Sequence, residues 1–83
     1  MITKEKLQNV VGEFTWLFGD EFFIETSEGN FIWRNPSYQG DGSIREYKGT
    51  YEKYRKECGV PFGRDKGKHL IGEYCGDFTV DFE

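Results

Sequence analysis

Two runs rich in aromatic and β-branched residues, 22–26 (FFIET) and 31–34 (FIWR), flank the tetrapeptide Ser-Glu-Gly-Asn at 27–30. Gly29 and Asn30 both tolerate the positive φ that a tight hairpin turn needs, so the segment predicts two antiparallel strands joined by a short turn. Asn35-Pro36 ends the second strand, because proline has no N–H to give to a ladder.

Around this hairpin the pattern predicts two helices and a second hairpin. Leu7, Val10, Val11, Phe14, Leu17 and Phe18 recur at helical spacing, which predicts a helix over 3–18 capped by Thr3 and stopped by Gly19. Gly12 weakens that helix by up to ~1 kcal/mol. A rival reading ends the helix near Val11 and makes EFTWLF a strand; the continuous stripe favours the full helix. Residues 35–49 read as a long loop pinned by Ile44 and Tyr47. Thr50 caps a short helix, TYEKYRKEC, which Gly59 and Pro61 close and whose buried stripe is Tyr51, Tyr54 and Cys58. HLIGEY and DFTVDF flank Cys75-Gly76 as the second hairpin, with Phe78, Val80 and Phe82 alternating against Thr79 and Asp81. The predicted fold class is α+β: two short helices packed on a small antiparallel sheet built from two hairpins, in the order α-β-β-α-β-β, with residues 1–83 as one domain.

A domain this small buries only about 60–65% of its unfolded surface. The chain answers with rings: two Trp, eight Phe and five Tyr make 18% of its 83 residues. Without them, a mean hydropathy of −0.73 and 31% charged residues would point to disorder. No run approaches the ~18 apolar residues of a membrane span, and MITKEKLQ lacks the apolar core of an export signal. The expectation is a cytoplasmic protein with no membrane partner, in which Cys58 and Cys75 are reduced thiols. Cys58, His69 and Cys75 are too few and too widely spaced for a zinc site, so no metal is expected.

The charge is segmented. Residues 1–42 carry three basic and seven acidic side chains, residues 43–68 eight basic and four acidic, and residues 69–83 four acidic and no Lys or Arg. A basic middle thus lies between two acidic ends, which bears on partners.

In that middle, GVPFGRDKGKH resembles a phosphate-binding loop but fails its test. Three residues separate Gly63 from Gly67 instead of four, His69 stands where a magnesium-binding hydroxyl belongs, and the predicted helix precedes the predicted strand. Arg64, Lys66, Lys68 and His69 remain candidate anion contacts on a glycine-rich loop. Arg45, Tyr47 and Lys48 interleave an aromatic ring with cations as single-strand binders do, while Tyr51 and Tyr54 at helical spacing belong to packing. Trp16 lies off the predicted stripe and is the candidate surface anchor, since Trp is enriched at interface hot spots. His69 has no nucleophile or orienting partner in a recognisable motif, and Asp41-Gly42-Ser43 lacks the acidic spacing of a calcium loop.

In composition the chain resembles the short, acidic, aromatic-rich proteins of viruses and mobile elements, which often occlude a larger host protein; the likeness rests on no particular residue. The leading expectation is a non-enzymatic protein without cofactor that inhibits or adapts a larger protein, with nucleic-acid-handling proteins among the partners considered. The alternative is a nucleic-acid-binding module using the basic segment 43–68. An enzyme centred on His69 ranks third.

Overall fold

The computed structural model describes Leu7 and residues 9–58, 67–70 and 79–80. Over them the chain forms a sheet ordered β5-β1-β2-β3-β4-β6. The strands are β1 (Val11–Phe18), β2 (Glu21–Thr26), β3 (Gly29–Arg34), β4 (Ser43–Tyr47), β5 (Lys68–Leu70) and β6 (Thr79–Val80). The first five pair antiparallel, and the two-residue β6 lies parallel on the edge of β4. The helix α1 (Tyr51–Cys58) sits between β4 and β5 in the chain. The protein is mostly β, not two helices on two hairpins.

Residues 11–18, predicted as helix, form β1. The stripe misled because this strand is buried on both faces. Phe14 joins the cluster of Phe22, Ile24, Phe31, Trp33 and Ile44, with Leu7 and Val10; Trp16 packs against it half-buried. Leu17 points the other way, into a second cluster with Phe23, Ile32 and Tyr54. A doubly buried strand loses the alternation that identifies a one-sided one. Gly12 is no weak point either. A Cβ there would come within 2.7 Å of Thr26 Cγ2 and 2.9 Å of Ile24 Cγ2, so glycine lets β1 and β2 close together. Residues 3–6 and 8 of the predicted helix lie outside the described residues.

The β2–β3 hairpin forms where its sequence puts it, with the turn set one residue earlier. Thr26 pairs with Gly29, leaving Ser27 and Glu28 as the loop. The Thr26 hydroxyl accepts from Glu28 N at 3.0 Å and donates to Gly29 O at 2.7 Å. Gly29 takes a φ of 130°, whereas Asn30 is extended in β3 and donates its side-chain amide to Gly49 O at 2.7 Å.

The predicted loop over 35–49 contains β4, which the sequence hides because its side chains are mostly polar and Ile44 is its one fully buried residue. Thr50 caps α1, its hydroxyl accepting from Lys53 N at 3.1 Å. Tyr54 is buried and Tyr51 half-buried, both with rings 5.7–5.9 Å from Phe23. Cys58 is exposed and free, not part of a buried stripe; Gly59, Pro61 and Cys75 lie outside the described residues. The described parts of the second predicted hairpin, residues 69–70 and 79–80, do not pair with each other; residues 71–78 and 81–82 of it lie outside the described residues. Its arms are parted: β5 lies against β1 and β6 against β4, at opposite edges of the sheet. No described helix is long and apolar enough to cross a membrane.

Candidate functional site

The site grows from the end of β3. Pro36 opens a 3-10 turn (Pro36–Tyr38), and the buried Asn35 braces it from beneath. Asn35 Oδ1 accepts from Ser37 N at 2.8 Å, and Asn35 O accepts from Tyr38 N and Gly40 N at 3.0 and 2.9 Å. Asn35 N donates to Asp20 O at 2.8 Å, which ties this turn to the Gly19-Asp20 turn between β1 and β2. Gln39 closes the turn in the left-handed region, at φ 70°. A side chain there costs about 1–2 kcal/mol, and such backbone strain collects at functional sites.

What this scaffold presents is Tyr38. Its ring stacks on Trp16, centroids 6.0 Å apart and planes 18° from parallel, and leans on Phe22 at 5.6 Å. The Trp16 indole N–H donates to Gly19 O at 2.8 Å, fixing the lower ring. Tyr38 remains 50% exposed, so the pair offers an open aromatic platform on a turn held by five backbone and side-chain bonds.

Charges flank the turn. Arg34 Nε donates to Asp20 Oδ2 at 2.9 Å, and Arg34 Nη1 lies 3.6 Å from Asp41 Oδ2. Asp41 Oδ1 accepts from Ser43 N at 2.9 Å. Hydrogen bonding to Ser43 holds the Asp41 carboxyl below its ordinary range, with the Arg34 charge assisting. The Asp20 carboxylate likewise raises Arg34. The Asp41 carboxylate is therefore charged at neutral pH, and Arg34 lies beside both Asp20 and Asp41. Exposed pairs of this kind contribute little to stability, so their interest is in what they present at the surface.

Trp16 is the predicted site residue that the structure brings into this platform. Arg64 and Lys66 lie outside the described residues. Lys68 and His69 are on β5, with the His69 ring edge-on to Phe14 at 5.6 Å. Arg45 and Tyr47 are on β4, and Lys48 follows it. Tyr47 is half-buried: its ring packs on Phe23 and Tyr54, Lys53 Nζ lies 5.9 Å from its centre, and its hydroxyl donates to Glu57. Burial, with the Glu57 hydrogen bond, pushes the Tyr47 phenol up to about 12. It stays a neutral donor throughout the physiological range. The Tyr54 hydroxyl donates to Glu21 at 3.0 Å and is raised by burial as well.

Lys68 and His69 are thus separated from Arg45, Tyr47 and Lys48 by four strand spacings, about 19 Å at about 4.8 Å each. Between them Glu13 faces Glu25 across β1 and β2, with Lys68 opposite Glu13 on its other side. These three side chains, with Val11 and Thr26, line a cleft of about 500 Å³. Lys68 on β5 and Arg45 on β4, both from the basic middle of the sequence, thus have Glu13 and Glu25 between them. Among the described residues no group of three or more His, Cys, Asp or Glu is placed to hold a metal ion.

Sequence reasoning missed Tyr38, Arg34, Asp20, Asp41 and Asn35. The available signal was Asn-Pro directly after a strand, a pair that starts capped turns. Comparison with family models, curated proteins and solved structures finds no match to this chain.

Proposed function

We propose that this is a non-enzymatic protein that acts by protein–protein contact, as an inhibitor or adaptor of a larger partner, and that the Trp16–Tyr38 platform is its contact surface. The observation that carries the reading is a half-exposed tyrosine stacked on a tryptophan and presented by a braced, strained turn. Tyr, Trp and Arg are the residue types that dominate interface energetics. A pre-ordered turn also reduces the entropy lost on binding. Two carboxylates beside the platform disfavour a nucleic-acid backbone there, and among the described residues the cations of β5 and of β4 stand four strand spacings apart.

The test compares affinity capture from the native cell by the parent protein and by Tyr38→Ala, with bound proteins identified by mass spectrometry. Tyr38 is exposed at a turn, so its truncation leaves the core in place. A protein retained by the parent and lost by Tyr38→Ala is the expected result. Equal retention by both would remove the platform from the interface.

A further inference from the structure

The same surface carries information about the partner's chemistry. Resting on the protein-binding reading above, we infer that the platform receives an arginine side chain from a basic segment of the partner, the guanidinium lying over Tyr38 and paired with Asp41. Three observations converge on that occupant.

Tyr38 is half exposed, and aromatic rings attract cations, arginine above all because its planar group also stacks. Trp16 contributes a second ring beneath, while its N–H is already spent on Gly19 O. The platform therefore presents ring faces and carboxylates, with the indole donor engaged.

Among the described residues, Asp20 and Asp41 share one cation, Arg34, which bonds closely to Asp20 at 2.9 Å and only loosely to Asp41 at 3.6 Å. The Asp41 side chain is 59% exposed, so its oxygens have room for a second guanidinium. It stands three residues after Tyr38 in the chain, where the Pro36–Tyr38 turn runs into β4. Arg34 already shows that these carboxylates accept guanidinium geometry.

The surrounding charge agrees. Among the described rim residues, Asp20 and Asp41 outnumber the single cation Arg34, so the local field attracts a basic segment and repels a polyanion.

The experiment titrates the whole protein with acetyl-Gly-Arg-Gly-Arg-Gly-amide and with its glutamate counterpart, following the Trp16 indole and the Tyr38 and Gln39 amides by NMR. Salt is set at about 0.01 M and about 0.15 M, where the Debye length is about 30 and about 8 Å. The arginine peptide should shift all three signals, more at low salt, while the glutamate peptide leaves them unmoved. Asp41→Asn keeps an oxygen acceptor for Ser43 N while deleting the charge, and should weaken the arginine peptide roughly two- to fivefold, the scale of losing one exposed ion pair. Tyr38→Ala should weaken it at least as much. Equal response to both peptides, or an unchanged titration in Asp41→Asn, would overturn the inference. So would oligonucleotide binding at these same three signals. If captured partners are lost with Tyr38→Ala yet kept with Asp41→Asn, the interface stands and the arginine does not.

Discussion

Trp33→Ala should lower the midpoint of urea unfolding by more than about 1.5 M, or leave no folded protein at all. Trp33 is wholly buried at the centre of the sheet, opposite Phe22 on β2 and Ile44 on β4, with the Phe14 ring 5.6 Å away on β1. Truncating a buried tryptophan costs about 3–5 kcal/mol, from lost transfer energy and the cavity left behind. At about 0.05–0.15 kcal/mol per residue, 83 residues have about 4–12 kcal/mol in all. A loss of that size is a large fraction of the total, and at a slope of about 1–2 kcal/mol per molar urea it sets the expected shift. Circular dichroism reads it without depending on the deleted indole. A shift under about 0.5 M would mean that Trp33 does not sit where three strands converge.

Gly40→Ala should cost about 2–3 kcal/mol and release the platform as well. A Cβ at position 40 would stand 2.5 Å from both the carbon and the oxygen of the Arg34 carbonyl, and 2.8 Å from Asn35 N. Those are backbone atoms already fixed by the ladder and by the Gly40 N to Asn35 O bond, so relief requires moving the turn. Overpacking costs about 1–3 kcal/mol in general, and the upper part of that range applies where no side chain can yield. The near-ultraviolet circular dichroism of the stacked Trp16 and Tyr38 rings should fall with the stability. Gly19→Ala is the comparison: its Cβ meets nothing within 4 Å, so it carries only the penalty of φ +59° and should leave the ring signal in place. If Gly40→Ala keeps both stability and ring signal, the turn is not packed as described.

How much of this was legible in the sequence varied with how local the determining interactions are. The β2–β3 hairpin depends on a four-residue turn and on neighbours in the chain, and α1 on a threonine cap and one stripe; both were readable. The turn moved by one residue because a threonine hydroxyl, not Asn30, closes it. β1 was legible only as the rival strand reading of EFTWLF, since Phe14 and Leu17 serve two separate cores on opposite faces and so mimic one helical stripe. The strand character of 68–70 and 79–80 was visible, but their pairing was not. Edge placement beside β1 and β4 is set by contacts more than thirty residues away along the chain. At the site, Trp16 stood out as an anchor, while Tyr38 carried no periodic signal. Its role comes from stacking on a residue 22 positions earlier. The basic middle read as one patch along the chain and is parted by a sheet in space.

Whether Tyr38 faces the partner can be measured by placing the photo-crosslinking residue p-benzoylphenylalanine at position 38 and, in a second protein, at position 68. Position 68 is exposed on β5, on the far side of β1 and β2 from the turn that follows β3, and serves as the internal control. After irradiation in the native cell, the substituted position 38 should yield a covalent adduct to a larger protein, with the linked peptide of that partner rich in arginine or lysine. Position 68 should yield little. Adducts formed at 68 and absent at 38, or adducts to nucleic acid at either position, would contradict the assignment of the Trp16–Tyr38 platform as a protein-binding surface.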